Sequence, residues 1–233
     1  MADADRWEIL PFDAGTFTFP PDDDWAGEEG VVVAHLIRAG DGRLFLFDTG
    51  IGQGHPALDE RYHPVERPLP DALEALGHGI EELSAATNCH LHVDHAGQNH
   101  RIPGVPIYVQ RSERDMASTP DYTVAEWVDG PGVTYRLIDG DTDVLPGIRI
   151  LATPGHSPGH QSLLVQTRRG PVLLAGQAVY SREEWLDLPG REGRSYTRDP
   201  ARYDASLRRL HETAAIRVHF AHDRSVVDVT PGP

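Results

Sequence analysis

Four histidines lie within eleven residues of this chain: His90, His92, His95 and His100. If a strand ends near His92, the side chains of His90 and His92 point the same way, because side chains alternate along a strand. Two imidazoles on one face can bind one metal ion, and Asp94 and His95 follow on the turn, where they can address a second ion. Neutral imidazole and carboxylate groups suit zinc, iron, manganese or cobalt.

Two further histidine sites favour a metal centre over the alternative, which is a chance run of histidines on a solvent-exposed loop. The segment 153–160 follows a predicted strand, and its proline and glycine pairs fix a tight loop that presents His156 as a third ligand to the first ion. His160 begins the next strand and is interpreted as a supporting histidine rather than a ligand. His222 directly follows the last predicted strand, a position that suits a loop-held ligand.

Short strands must position these loops. Apolar runs rich in β-branched residues predict strands at 30–39, 44–47, 105–109, 133–138, 148–152, 162–165, 172–175 and 216–220. Helical patterns are predicted at 71–76, 80–83, 111–117 and after Asp199, with Pro200 at the first helical position. Residues 1–29 are predicted to be irregular, and residues 51–68 to form a long loop. Strands that alternate with helices favour one mixed α/β domain spanning 1–233.

The composition disfavours several classes of function. The net charge is −15, from 21 basic and 36 acidic side chains, so the chain repels phosphate backbones and anionic membranes, and neither is expected as a partner. The single cysteine, Cys89, excludes an internal disulfide, and on a strand it would face the core, away from the metals. We find neither the pattern of a signal peptide nor an apolar run near the ~20 residues of a membrane span, which predicts a soluble cytoplasmic protein.

Taken together, these motifs resemble those of the metallo-β-lactamase superfamily. The segments that carry the resemblance are Phe47-Asp48-Thr49-Gly50, His90-x-His92-x-Asp94-His95, Thr153-Pro154-Gly155-His156-x-Pro158-Gly159-His160, Ala175-Gly176 and Ala221-His222-Asp223. The resemblance covers almost the whole chain and implies an α/β fold, a four-layer αββα sandwich with metals at the edge between two sheets. The chain is most similar to the N-acyl-homoserine lactonase group, whose substrate-contacting tyrosine matches Tyr180.

Gln177 departs from that group, which has a metal-bridging aspartate at this position. A glutamine amide brings no negative charge to a metal pair, and Gln177 is expected to touch either a metal, weakly, or only a water. The resemblance still implies two sets of three ligands: His90, His92 and His156 for one ion, and Asp94, His95 and His222 for the other. Three protein ligands plus a water is the usual catalytic zinc arrangement. We therefore expect one or two zinc ions per chain, with the first set filling first.

The resemblance further implies a metallo-hydrolase of the EC 3.1.1 class that opens lactone or ester bonds, with quorum-quenching lactones as candidate substrates. A metal-bound hydroxide would attack the carbonyl carbon, Tyr180 would donate a hydrogen bond to the developing oxyanion, and Asp94 would carry the proton. Asp48 is expected to orient a ligand histidine through a hydrogen bond. Candidates for the pocket walls, with local packing as the alternative for each, are Phe17, Phe19, Trp25, Trp185, Leu186 and Leu188.

Several alternatives stay open at this level. An esterase, a thioesterase or a β-lactamase-like hydrolase would use the same constellation, and an iron-containing redox enzyme would share the scaffold. A protein that retains a metal but has lost turnover is a third alternative, with Gln177 as the mark of that loss. The acyl-chain length of a substrate and the oligomeric state, for which a homodimer is one candidate, do not follow from the sequence.

Overall fold

Two β-sheets face each other and enclose the central apolar core. The structure, a computed structural model, describes residues 6–187 and 197–229. The first sheet has the strand order β4-β1-β2-β3-β5-β6-β7. Its strands are β1 (Trp7–Thr18), β2 (Glu29–Ala39), β3 (Leu44–Phe47), β4 (Val65–Glu66), β5 (Leu83–Thr87), β6 (Pro106–Gln110) and β7 (Thr134–Ile138).

The second sheet has the order β13-β12-β11-β10-β9-β8. Its strands are β8 (Thr142–Leu145), β9 (Ile148–Ala152), β10 (Gln161–Gln166), β11 (Pro171–Leu174), β12 (Arg217–His219) and β13 (Val226–Asp228). The helices are α1 (Pro56–Tyr62), α2 (Leu69–Ala75), α3 (Arg111–Ala117), α4 (Ala125–Val128), α5 (Arg182–Leu186) and α6 (Pro200–His211). None of these helices is long and apolar enough to cross a membrane.

Side-chain alternation along the strands builds the layers. On β3, Phe45 and Phe47 face the second sheet, where they join Leu163 of β10 in one core cluster. The alternate residues of β3, Leu44 and Leu46, pack instead in a cluster with Leu69 and Leu73 of α2. On the other side, Leu173 of β11 packs with Leu207 and Leu210 of α6. A helix layer therefore covers each sheet, and the predicted four-layer αββα sandwich is confirmed.

Two predictions about the first third of the chain are wrong. Residues 1–29 were predicted to be irregular, but β1 pairs with β2 along its whole length. The register shifts between Asp13 and Gly15, so the alternation that marks a strand is broken within β1 itself. Residues 51–68 were predicted to be one loop, but they contain α1 and β4.

The carboxyl ends of four strands meet at one edge of the sandwich. β3 and β5 are parallel neighbours in the first sheet, and β11 and β12 are parallel neighbours in the second. One backbone hydrogen bond runs from Val33 N of β2 to Ala221 O after β12, and another runs from Gln161 N of β10 to Cys89 O after β5, both 2.8 Å. β10 is antiparallel to both β9 and β11, so the loop after β9 leaves at the same edge. Every residue singled out as a candidate ligand lies on a loop after β3, β5, β9, β11 or β12.

Candidate metal centre

The loop after β5 brings the first two histidines together. The strand ends at Thr87, so His90 and His92 do not lie on a strand, and the alternation argument for their common direction is wrong. The loop places His90 Nε2 2.8 Å from His92 Nδ1. Asp48 Oδ1 fixes the start of this loop by accepting the backbone N–H of Cys89 at 2.7 Å.

His156 completes a convergent set of three nitrogens. Its Nε2 lies 3.0 Å from His90 Nε2 and 3.2 Å from His92 Nδ1. Nitrogens bound to one tetrahedral zinc ion at the usual bond length lie about 3.3 Å apart. Burial is the main cause that lowers the pKa of each of these three histidines. Three neutral, buried imidazoles that converge in this way fit a divalent cation.

A second set of polar atoms lies beside the first. His95 Nε2 is 3.3 Å from both Asp94 Oδ2 and His222 Nε2, and Asp94 Oδ2 is 3.5 Å from His222 Nε2. Gln177 Oε1 lies 3.2 Å from the same His95 nitrogen. Gln177 Oε1 is thus a fourth polar atom beside this set. An amide oxygen can bind a cation without adding negative charge.

Hydrogen bonds on the outer side of each ring fix which nitrogen faces the centre. His95 Nδ1 donates to Asp48 Oδ2 at 3.0 Å, and His222 Nδ1 donates to the carbonyl of Val31 at 2.8 Å. In both rings Nε2 is left facing inward. Metal-binding histidines usually donate their other N–H in this way. Asp48 has φ 65°, a left-handed conformation that aspartate tolerates, at the point where the chain leaves β3.

Charge is concentrated around His95. Burial opposes a positive charge on this ring, but Asp94, Cys89 and Asp48 together raise the pKa of His95 well above its usual value. Burial likewise opposes ionisation of Asp94, yet His95 and then His222 hold the pKa of Asp94 well below its usual range. The two groups therefore favour each other's charged form, and a metal ion held by His95 would compete with the proton on this ring.

His160 supports the centre through hydrogen bonds. Its Nδ1 donates to the carbonyl of Thr153 at 3.1 Å, and its Nε2 accepts the backbone N–H of Gln177 at 3.0 Å. Both ring nitrogens are thus occupied by the protein. Cys89 is buried in the core as predicted, and its Sγ lies 3.2 Å from His90 Nδ1, the ring nitrogen opposite the one that meets His92 and His156. The strand geometry assumed for Cys89 is wrong, since β5 ends before it.

Tyr180 lies in a stack of rings over the second set. Its ring stacks on His222 at a centroid distance of 4.4 Å and on Trp25 at 5.0 Å. Phe19 lies 6.2 Å from Tyr180, and Phe17 lies 5.9 Å from His222. The aromatic residues of the segment between β1 and β2 therefore lie beside the candidate ligands, as proposed for the pocket walls.

One of the other proposed walls, Trp185, lies elsewhere. Trp185 is buried in the cluster beneath α6 and stacks on His211 at 3.6 Å. Leu186 is 60% exposed. Leu188 falls outside the described residues. For Trp185 the alternative interpretation, local packing, is the correct one, because an aromatic side chain after Tyr180 has the same pattern whether it faces the pocket or the core.

Two buried carboxylates accept hydrogen bonds from loops of the candidate centre, and the sequence analysis did not single them out. Glu184 Oε2 accepts the backbone N–H of Tyr180 at 2.6 Å, and Glu184 Oε1 accepts the hydroxyl of Tyr203 at 2.8 Å. Glu113 accepts hydrogen bonds from the loops of both His90 and His156. Each is one glutamate near the start of a short helix, where an acidic residue is common, so neither stands out in the sequence.

The fold and the clustered ligands define the class of protein. The profile of the metallo-beta-lactamase superfamily matches residues 27–219, and the chain belongs to this superfamily. Within it, the chain is similar to N-acyl homoserine lactonases. It is 42% identical to that of Bacillus cereus over 61% of this chain and 56% of the relative. It is 36% identical to that of Bacillus thuringiensis over 74% of this chain and 66% of the relative. The matches thus span between about half and two thirds of these relatives.

Solved structures agree over more of the chain. An N-acyl homoserine lactone hydrolase with N-hexanoyl-L-homoserine at its catalytic metal centre superposes with a TM-score of 0.78, at 28% identity and with 93% of each chain covered. A Bacillus thuringiensis AiiA variant with N-decanoyl-L-homoserine bound superposes with a TM-score of 0.77, at 28% identity, over 94% of this chain and 93% of the other. Members of the superfamily bind a dimetal centre, and this chain carries the clustered ligand groups for one.

Proposed function

We propose that this protein is a metal-dependent hydrolase that opens lactone or ester bonds, with N-acyl homoserine lactones as its first candidate substrates. The observation that carries the proposal is the pair of adjacent donor sets at one edge of the sandwich, with an aromatic wall over the second set. The similarity to N-acyl homoserine lactonases supports the choice of substrate class and suggests a quorum-quenching role.

Two groups of residues would hold the metal. His90, His92 and His156 form the first set, and Asp94, His95 and His222 form the second, with Gln177 beside it. Zinc suits this mixture of imidazole and carboxylate ligands, and we propose one or two ions per chain. A bound cation lowers the pKa of a coordinated water and polarises a carbonyl oxygen.

The chain's own residues would then complete the reaction. Ring opening adds the elements of water across the acyl carbon–oxygen bond, so one proton must pass from the attacking water to the leaving oxygen. Asp94, whose half-buried carboxylate lies beside His95 and His222, is the base that we propose accepts and returns this proton. Tyr180 would donate a hydrogen bond from its phenol to the carbonyl oxygen as negative charge develops there. Phe19 and Trp25, which pack on Tyr180, would exclude water from this side.

Proton release during ring opening tests the proposal. Protein loaded with zinc or cobalt is expected to release protons from N-acyl homoserine lactones of several acyl lengths. His92→Ala, which removes one ligand of the first set, is expected to abolish the signal. If the metal-loaded protein releases no protons from any of these lactones, the lactonase proposal fails. Esters, nitrocefin and S-lactoylglutathione then separate other hydrolases from a metal-retaining binder.

Tyr180→Phe removes the phenolic hydroxyl and keeps the ring stack. We expect kcat for lactone opening to fall by about 10²-fold, the usual loss for one oxyanion donor. KM is expected to change much less, since stacking on Trp25 and His222 is retained. Steady-state kinetics of the two proteins measures both values.

Tyr108→Phe is the matched control for this experiment. Tyr108 lies on β6 beside the central core, and its hydroxyl makes no hydrogen bond to a residue in 6–187 or 197–229. An equal loss of kcat in both variants, or no loss in Tyr180→Phe, would remove Tyr180 from the mechanism.

Three points stay predictions of the sequence. They are the cytoplasmic location, a homodimeric state, and the assignment of residues 1–233 to a single domain.

A further inference from the structure

Glu113 is a completely buried carboxylate between the two loops that carry the first ligand set. It lies in the first turn of α3, and none of its side chain is exposed. The loop that bears His90 and His92 is on one side of it, and the loop that bears His156 is on the other.

The hydrogen bonds of Glu113 divide between these loops. Oε1 accepts the backbone N–H of Leu91 at 2.9 Å, and Leu91 lies between two ligand histidines. Oε2 accepts the hydroxyl of Ser157 at 2.6 Å and the backbone N–H of Gly159 at 3.1 Å, and Ser157 directly follows the third ligand. One side chain thus ties both loops to the same helix.

Tyr122 adds a fourth donor and links Glu113 to a ligand ring. Its hydroxyl donates to Glu113 Oε1, and its ring lies 4.4 Å from the ring of His92. Four donors fill the four acceptor sites of an ionised carboxylate. An amide in the same place would set its NH₂ group against the fixed N–H of Leu91 or of Gly159.

The fit at Gly159 shows how closely the second loop packs on α3. A side chain at this position would bring its Cβ within 2.3 Å of the backbone nitrogen of Glu113. No basic side chain among residues 6–187 and 197–229 forms an ion pair with Glu113. A buried carboxylate without a cationic partner is costly, and a cation at the nearby ligand set would offset that cost.

We propose that Glu113 is a positioning residue for the metal centre, which holds the two ligand loops at the spacing that makes His90, His92 and His156 converge. The inference rests on the proposed metal-dependent function. Glu113 itself touches neither substrate nor metal. It acts through Leu91, Ser157 and Gly159, and its negative charge lies directly behind the first ligand set.

Glu113→Gln tests the inference because it keeps the shape of the side chain. The two O–H donors can rotate, but the N–H groups of Leu91 and Gly159 cannot, so whichever end carries the amide NH₂ meets a fixed donor. Loss of a supporting hydrogen-bond partner typically weakens metal binding 10- to 100-fold. We expect a loss of roughly that size in the affinity of the first set for Co²⁺, measured by competition with a chromophoric chelator. The Co²⁺ absorption spectrum is expected to shift as the ligand geometry loosens.

Glu184→Gln is the matched control. Glu184 is also a buried glutamate that accepts a backbone N–H and a tyrosine hydroxyl, and these two donors, Tyr180 and Tyr203, lie outside the loops that carry the first ligand set. Its Co²⁺ affinity and spectrum are expected to match the unmodified protein. If Glu113→Gln is folded by circular dichroism and keeps both the affinity and the spectrum, the inference is overturned.

Ser157→Ala keeps the inference testable if Glu113→Gln does not fold. It removes one donor to Glu113 Oε2 and leaves both backbone bonds, so a loss of Co²⁺ affinity smaller than that of Glu113→Gln is expected. An unchanged affinity in this variant counts against the inference. None of these measurements uses turnover. A protein that binds Co²⁺ in this pattern but opens no lactone refutes the proposed function and leaves the role of Glu113 standing.

Discussion

Replacing Asp94 with asparagine is expected to lower kcat/KM for lactone opening by about 10³-fold, within the range attributed to general acid–base catalysis. The carboxylate lies against His95 and His222, whose charges hold its pKa well below the usual range despite burial. Asp94 is thus ionised throughout the neutral range and able to accept a proton. Asparagine keeps the shape of the side chain, but it removes the charge and the ability to carry a proton.

Metal counting must accompany the kinetics of Asp94→Asn, because the same carboxylate belongs to the second ligand set. Turnover by proton release and metal content by elemental analysis are measured on the same samples. Asp228→Asn is a suitable control. Asp228 lies on β13, at the outer edge of the second sheet, and its carboxylate pairs with Arg217 of β12. Full turnover by Asp94→Asn with unchanged metal content would show that the proton takes another route.

The second large effect is expected from Gln177→Asp. Gln177 Oε1 lies 3.2 Å from His95 Nε2, so an aspartate introduces a negative charge at the second set. Two unit charges 4 Å apart interact by about 4 kcal/mol near a protein surface. Part of this gain is lost in burying a second carboxylate beside Asp94. We therefore expect at least a tenfold gain in Zn²⁺ affinity at the second set, measured by equilibrium dialysis at limiting zinc.

Gln177→Asn separates charge from side-chain length in this experiment. Asparagine has the length of aspartate but no charge, so it is expected to bind zinc no more tightly than the unmodified protein. In the unmodified protein the first set is expected to fill before the second. Equal zinc content in Gln177→Asp and Gln177→Asn at every free zinc concentration would contradict a role for charge at this position.

The residue types and spacing in the sequence singled out most of the side chains that the structure brings together in the candidate centre. His90, His92 and His156 are recognisable because imidazoles in glycine-rich loops after strands have few structural uses. The structure brings them within hydrogen-bonding distance of one another. The reason given for the direction of His90 was nevertheless wrong, because the strand ends earlier and the backbone of the loop instead donates hydrogen bonds to Asp48 and Glu113.

What the sequence left out depends on tertiary contacts. Glu113 is one of many acidic residues, and its four donors come from residues between 91 and 159, which only the folded chain brings together. β1 was missed because its bulge at Asp13 breaks the period of two. Trp185 was only a candidate for the pocket wall, because the sequence around it does not show that it packs beneath α6.

The ligands come from loops of both sheets, and this links metal binding to the cohesion of the sandwich. His90 and His95 leave the first sheet after β5, whereas His156 and His222 follow strands of the second sheet. An ion held by both groups of ligands would join the two sheets. A ligand that binds only the folded state stabilises it by about 2.7 kcal/mol at a hundred times its Kd. We therefore expect removal of the metal to lower the free energy of unfolding as well as to stop turnover.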